Sequence, residues 1–474
     1  MQFNFTEQEL YIAKSISKVS AKLNFPSFFV GGIVRDRILE RTSKDIDVVC
    51  VGDGIALAQA VGEELGIKQQ VAVFKRFGTA MLKYKDVELE FVGARKESYT
   101  HDSRKPEVEP GTLTDDQNRR DFTINAMAVS LNDGSFGAII DPFNGLEDIR
   151  KKCIKTPLEP AKTFSDDPLR MMRGVRFAAQ LGFEIDPLTF KGIQDNAYRL
   201  EIISQERITQ ELNKIILSKK PSIGFNLLSE AGLLKIFFEE FEELRGVEII
   251  NGQGHKDNYY HTLKVLDNLC EDTNDLWLRW AAILHDIAKP PTKRFSKDHG
   301  WTFHGHEVVG ARMVPKLFKR FKLPLDHKMK YVQKLVRLHL RPISLTNKDI
   351  TDSAMRRLLF DAGEDLDDLM MLCKADITSK NEAKVARIKA NYETVKVKLR
   401  EVEEKDQIRY WQPPISGDLI MQTFSIPPSR VVGEIKDAIR EAILDGDIPN
   451  DYDAAFEYMI GKAKALGFVI TETK

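Results

Sequence analysis

The chain has 474 residues, with 70 Lys and Arg against 71 Asp and Glu and 42% hydrophobic residues. That length leaves room for roughly three domains, and the near-zero net charge excludes a uniformly cationic coat while leaving a local basic track open. No run approaches the ~18 apolar residues of a membrane helix, and the opening MQFNFTEQELYIAK lacks a basic stretch followed by an apolar core. Cys50, Cys153, Cys270 and Cys373 stand far apart with no C-x-x-C pair. These features predict a soluble chain with no membrane partner, in a reducing cytoplasm.

In chain order, T-E-Q-E from Thr6 reads as a capping box, predicting a helix to about Lys22. An apolar strand at 28–30, the pair Gly31-Gly32 and a short helix follow, then a second strand, DIDVVCV, at 45–51. Further strands fit 79–84 and 87–92, separated by a turn at Lys85-Asp86. The stretch Arg95 to Arg120 carries six basic and six acidic residues, and Pro106, Pro110 and Gly111 predict a loop. From about residue 160 helical spacing takes over. Breaks are expected at 248–258 and at 405–414, the latter ending a long helix with a seam of Val385, Ile388, Tyr392, Val395, Leu399 and Val402. Cations off that seam, Lys389 among them, fit either a solvated face or an RNA-backbone contact. The predicted class is α+β, a head with a small mixed sheet followed by helical bundles.

Two places carry chemistry. On a strand Asp45 and Asp47 point to one face, and the apolar residues after them predict a central, covered strand. Two carboxylates held together there repel unless cations compensate, and a divalent metal does so, although D-x-D alone equally fits solvated or capping acids. The Gly31-Gly32 turn offers bare backbone N–H groups and Arg35 a charge for phosphate. Glu88 and Glu90, again two apart, offer a third carboxylate. The second place is the helical half, where histidines concentrate from 255 to 339. His285-Asp286 sits in an almost wholly apolar helix, so the buried acid needs a partner, either the histidine itself or a metal. His261, His306, His339 and Asp376 are further plausible ligands.

GGIVRD (31–36), DID (45–47), RRDFTINAMA (119–128), DPFNG (141–145), DDPLRMMRGVRFAAQLGF (166–183) and ISQERITQEL (203–212) resemble, in order, the signature of class II tRNA nucleotidyltransferases. That family also contains the bacterial poly(A) polymerases. The resemblance implies a nucleotidyltransferase head of the DNA polymerase β type at 1–155, a helical neck and body at 156–245, and a tRNA-binding helical tail at 381–474. It assigns Mg²⁺ to Asp45 and Asp47, with Glu90 as third carboxylate, and triphosphate to Gly31, Gly32 and Arg35. Ribose and phosphate contacts fall on Arg119, Arg120, Asp121 and Asn125, and nucleotide contacts on Arg173 and Arg176. It assigns reading of the base edge to Asp167 and Arg170, three residues apart on one helix. Two positions depart from the pattern: Asp166 stands where Glu is usual, and Glu90 where Asp is usual.

The series His261, His285-Asp286, His306, His339, Asp376 resembles the HD phosphohydrolase domain, placed at 246–380. The resemblance implies one divalent ion, Mg²⁺ or a transition metal, on His261, His285, Asp286 and Asp376, with His306 and His339 helping a second. The expected activity is CCA addition from CTP and ATP to tRNA, with hydrolysis of phosphate esters or 2′,3′-cyclic phosphates by the HD domain and no role for DNA. Poly(A) polymerase, a partial CC- or A-adding enzyme, and a hydrolase with an RNA-binding head are the alternatives.

Overall fold

In this computed structural model the described residues are 2–98, 107–345, 351–379, 381–406, 411 and 414–468. They fall into two compact units, Met1–Glu242 and Glu243–Lys474. In the first, Thr6 opens α1 (Glu7–Leu23) through the expected capping box, each partner's side chain accepting the other's backbone N–H. There follow β1 (Ser27–Val30), α2 (Gly32–Ile38), β2 (Asp45–Cys50), α3 (Gly54–Glu64), β3 (Ala72–Phe74), β4 (Thr79–Tyr84) and β5 (Val87–Gly93). Lys85, in the β4–β5 turn, takes a φ of 55°. Where a loop was expected, the chain instead forms a hairpin, β6 (Arg95–Ser98) with β7 (Glu107–Pro110), and a short helix, α4 (Leu113–Asn118). Thr112 caps α4 in a box with Asp115, and Pro110 is tolerated because it closes the hairpin's end. Pro106 lies outside the described residues.

β8 (Ala128–Ser130) and β9 (Ile139–Ile140) complete a seven-stranded mixed sheet of order β3-β4-β5-β2-β1-β8-β9, so β2 is its middle strand. Ile46, Val48, Val49 and Cys50 are all buried, which is the burial the apolar run foretold. β2 runs antiparallel to β1 and parallel to β5, and the parallel register sets Asp45 opposite Glu88 and Asp47 opposite Glu90. The helical remainder of this unit is α5 (Gly145–Arg150), α6 (Pro160–Asp166), α7 (Leu169–Leu181), α8 (Pro187–Asn196), α9 (Gln205–Ile216), α10 (Pro221–Glu230), α11 (Leu233–Phe237) and α12 (Glu239–Glu242). α7 is buried along most of its length, against α9 and α10.

The second unit is helical apart from two short hairpins, Ile249–Ile250 with Gln253–Gly254 and Arg294–Ser296 with Gly300–Thr302. Its elements are α13 (Asn258–Asp272), α14 (Leu276–Leu284), α15 (Lys289–Thr292), α16 (His306–Arg320), α17 (His327–Leu338), α18 (Arg341–Ser344), α19 (Asp352–Ala362) and α20 (Leu366–Asp376), then α21 (Glu382–Asp406). α14 is buried from Leu278 to Leu284. The α21 seam is real where it packs: Tyr392, Val395, Leu399 and Val402 are buried. α22 (Gly417–Phe424), α23 (Arg430–Asp445) and α24 (Tyr452–Ala465) close on a small core that includes Ile420, Ile435, Ile439 and Met459. Among the described residues no helix is long and apolar enough to cross a membrane.

Candidate functional sites

A cleft of about 490 Å³ opens over the carboxyl-bearing face of the first unit's sheet. One wall is acidic: Asp45, Asp47, Glu88 and Glu90, brought together by the alternation of each strand and the β2–β5 register. Burial pushes the Asp47 carboxyl up, and Asp45 and Asp116 add to this against the opposing Arg120. Burial likewise raises Glu90, with Asp47 adding to it. Two adjacent carboxyls that resist ionisation describe a site short of positive charge, which is the fit expected of a divalent cation held by oxygen donors.

The facing wall is cationic. Arg35, Arg120, Arg173 and Arg176 line it together with Asp121, Asn125 and Phe177. Arg35 donates from Nη1 to Asn125 Oδ1 at 2.7 Å. Arg173 donates to Asp121 Oδ2 at 2.7 Å and holds that carboxyl down at about 2, overcoming the burial that alone would raise it. The Arg176 guanidinium lies 4.2 Å over the Phe177 ring, with Arg35 at 4.9 Å and Arg173 at 5.5 Å. Gly31 joins the walls. Its φ of 75° with ψ of −130° suits glycine alone, and a Cβ there would meet Arg120 Nη1 at 3.0 Å and Asp47 Oδ2 at 3.2 Å.

Three sequence-assigned residues are not on these walls. Arg119 ion-pairs with buried Asp116, which also pairs with Arg120 at 2.8 Å. Asp167 and Arg170 do not share a helix. Asp167 is extended (φ −138°, ψ 100°) in the link between α6 and α7, because Pro168 disfavours helical backbone in the residue before it. Its carboxylate accepts from the Leu169 N–H and meets Arg207 at 3.4 Å. Arg170 is 8% exposed and donates to the carbonyls of Thr163 and Arg119. Asp116 and Phe177 were missed. D-x-x-R-R at 116–120 was the available signal for the first, since i, i+3 and i, i+4 share a helix face; nothing marked Phe177 apart from core.

In the second unit all six expected ligands converge. Asp286 is 1% exposed, and its two oxygens face four rings: His285 Nε2 at 3.2 Å, His261 at 3.5 Å, His306 at 3.2 Å and His339 at 3.8 Å. Asp376 meets His261 Nε2 at 2.9 Å and His285 at 3.8 Å. Three rings are wired alike: Nδ1–H of His285, His306 and His339 donates to the carbonyls of Ala282, Phe303 and Val336, at 2.7, 2.7 and 2.8 Å. That turns each Nε2 inward, and all three are buried without a hydrogen-bond partner, as is Asp286 Oδ1. Orphaned buried donors of this kind fit divalent metal, and the backbone carbonyls are the outer partners such rings use. Burial, reinforced by His285, lowers His339 to about 4, so it is neutral and ready to coordinate. Asp286 is held well below the carboxylate range, His285 and Lys289 outweighing its burial.

A mixed sheet with paired acids on its middle strand beside a glycine turn, followed by helices, is the architecture of a nucleotidyltransferase head of the DNA polymerase β type. Residues 27–155 match the poly A polymerase head domain, 182–244 the probable RNA and SrmB-binding site of polymerase A, and 258–381 the HD domain. The A-adding tRNA nucleotidyltransferase of Deinococcus radiodurans is 31% identical over 356 residues, 73% of this chain and 78% of that protein. The multifunctional CCA protein of Shewanella frigidimarina is 31% identical over 313 residues, covering 64% and 70%. The CCA-adding enzyme of Bacillus stearothermophilus, solved with CTP, shares the fold at a TM-score of 0.64 and 23% identity over 97% of this chain and 98% of that one. The chain belongs to the tRNA nucleotidyltransferase and poly(A) polymerase family, and it is a nucleotidyltransferase carrying an HD domain.

Proposed function

We propose that the chain transfers CMP and AMP from CTP and ATP to the 3′ hydroxyl of tRNA, completing CCA, and that its HD centre hydrolyses phosphate esters or 2′,3′-cyclic phosphates at RNA ends. The observation that carries the first part is the acidic wall of Asp45, Asp47 and Glu90 facing the arginine wall across Gly31. The 3′ oxygen bonds to the α-phosphorus, the bond to pyrophosphate breaks, and the hydroxyl proton passes to solvent. Asp45, Asp47 and Glu90 hold Mg²⁺, which when bound favours the ionised hydroxyl and offsets charge on the departing pyrophosphate. Gly31-Gly32 lets the triphosphate approach the backbone, while Arg35, Arg120, Arg173 and Arg176 align its charge, with Asp121 and Asn125 fixing two of those guanidiniums. Arg119 supports that wall through Asp116. Asp167 and Arg170 read the base, Arg170 exchanging its two carbonyl partners for a base edge.

In the HD centre, His261, His285, His306, His339, Asp286 and Asp376 hold a divalent metal, which supplies activated water when bound. Water oxygen bonds to phosphorus, one ribose oxygen leaves, and that oxygen takes up a proton. We divide the chain into head (1–155), neck and body (156–245), HD domain (246–380) and tail (381–474), the tail meeting tRNA, and place it in the cytoplasm.

The Deinococcus radiodurans relative is named an A-adding tRNA nucleotidyltransferase, which supports a second reading in which the substrate tRNA already ends in CC. Single labelled nucleotides given with Mg²⁺ to tRNA ending before CCA, or at CC, decide between them. Ordered C, C, A that then stops supports the first reading, and A added only to the CC form supports the second. Long A tails point to poly(A) polymerase, and no incorporation leaves only the hydrolase.

A further inference from the structure

The histidine cluster is buried, and His261 is a ring of it that also lines a cavity. Its Nε2 faces Asp376, while Nδ1 lies 2.7 Å from Lys256 Nζ and 2.9 Å from Thr378 Oγ1. Lys256 Nζ also donates to Thr378 Oγ1 at 2.5 Å. Beyond these residues is a cavity of about 770 Å³, within the range that holds a nucleotide-sized ligand. Its lining combines Lys256, Lys264 and Lys389 with the apolar and aromatic surfaces of Tyr260, Ile377 and Val385. Its carboxylate, Asp257, is already engaged: it accepts from the N–H groups of Tyr259, Tyr260 and Gly246.

The wiring of His261 differs from that of the other three rings. Its Nδ1 meets side chains, Lys256 and Thr378, where the other three rings donate to backbone carbonyls. Lys256 Nζ therefore lies against a ring of the cluster while its residue also lines the cavity. A cation beside one ring of the cluster, with two more lysines and apolar side chains in the same lining, suits a phosphate attached to a nucleoside.

We propose that this cavity binds the terminal nucleotide of an RNA bearing a 3′ or 2′,3′-cyclic phosphate, with Lys256 as the phosphate-positioning residue. Lys264 and Lys389 meet the preceding phosphate, and the base rests against Tyr260, Ile377 and Val385. This rests on the reading of the HD centre as a phosphohydrolase and adds the substrate's nucleoside to it. It also gives Lys389, one of the cations off the α21 seam, an RNA contact in place of a solvated role.

The test uses the full-length protein in two assays: titration with adenosine 3′-phosphate in EDTA, and hydrolysis of adenosine 2′,3′-cyclic phosphate against bis(p-nitrophenyl) phosphate with added Mn²⁺ or Ni²⁺. Lys256→Gln is expected to weaken nucleotide binding about tenfold, roughly one charge-assisted hydrogen bond, and to raise KM for the cyclic nucleotide with little change in kcat. Lys256→Arg recovers most of the loss. Lys334→Gln, which removes a lysine paired with Asp365 elsewhere, changes neither readout. Binding and KM unaltered in Lys256→Gln overturn the proposal even if hydrolysis is intact. Lys256-dependent binding by a protein that hydrolyses nothing upholds the subsite and removes the hydrolase reading instead.

Discussion

The acid cleft and the histidine cluster each gather groups that could hold a divalent cation, and they do so with opposite materials. The cleft uses carboxylates on a sheet face, among them the exposed Asp45 and Glu88, that repel one another. The cluster uses imidazoles whose second nitrogen is tied to backbone, and its Asp286 and rings are between 0% and 7% exposed. Hard oxygen donors open to water suit an ion that arrives with its nucleotide and leaves with pyrophosphate; buried nitrogen donors suit a resident transition metal. The difference teaches that burial and donor type set the two sites apart, and it predicts an exchangeable ion at the first and a retained one at the second.

The sharpest way to break that comparison is to remove one donor from each. Asp47→Asn is expected to reduce nucleotide incorporation by about a thousandfold or more while leaving hydrolysis intact, and His285→Ala to do the reverse. Incorporation that survives in Asp47→Asn, measured with labelled CTP and ATP, removes the assignment of the acid wall. A gentler probe is chelation. After EDTA, Mg²⁺ alone should restore incorporation, whereas hydrolysis should return only with Mn²⁺, Co²⁺ or Ni²⁺. Elemental analysis of the untreated protein should find a transition metal in wild type and less in His285→Ala. Equal restoration of both activities by Mg²⁺ would erase the distinction between the two centres.

A third probe acts on backbone. Gly31→Ala places a Cβ at a φ of 75° where Arg120 and Asp47 already crowd it. The strain should cost about 1 to 3 kcal/mol of stability and raise KM for both nucleotides without changing metal content of the HD centre. Thermal unfolding and steady-state kinetics check the two halves of this, and an unchanged KM would dissociate the turn from nucleotide binding.

What the sequence revealed follows periodicity and spacing. Period two placed Asp45 and Asp47 on one face, and the buried run after them marked a middle strand. That Glu90 sits opposite Asp47 was not legible, because register between strands 40 residues apart in the chain depends on tertiary pairing. The Asp167–Arg170 spacing was read as one helix although Pro168 between them argued otherwise. The pairing of 95–98 with 107–110 was hidden because charge balance and proline suggested a loop, while such pairing leaves little trace in one strand alone. The six HD ligands were recognisable as residues. Lys256 and Thr378 were not, since they act through the far nitrogen of a ring and carry no spacing of their own.

The smallest expected effect concerns the cationic wall. Asp121 is 7% exposed, and Arg173, with help from Asn125, holds its carboxyl at about 2 against a burial that opposes it. Because the folded value lies below the unfolded one, the stabilisation is complete above about pH 4 and is lost as pH falls through about 2. A downward shift of this size corresponds to about 2 kcal/mol, and the Arg173 side chain, 35% exposed, screens part of it, so about 1 to 2 kcal/mol is expected. Asp121→Asn removes the ionisable group and keeps a hydrogen-bonding shape. Urea unfolding of both proteins in EDTA should show the variant weaker by that amount at pH 7, with the gap steady to about pH 4.5 and roughly halved near pH 3. A gap that stays constant across that range would mean the carboxylate's charge does not hold Arg173, and that the guanidinium reaches the nucleotide by packing on Phe177 instead.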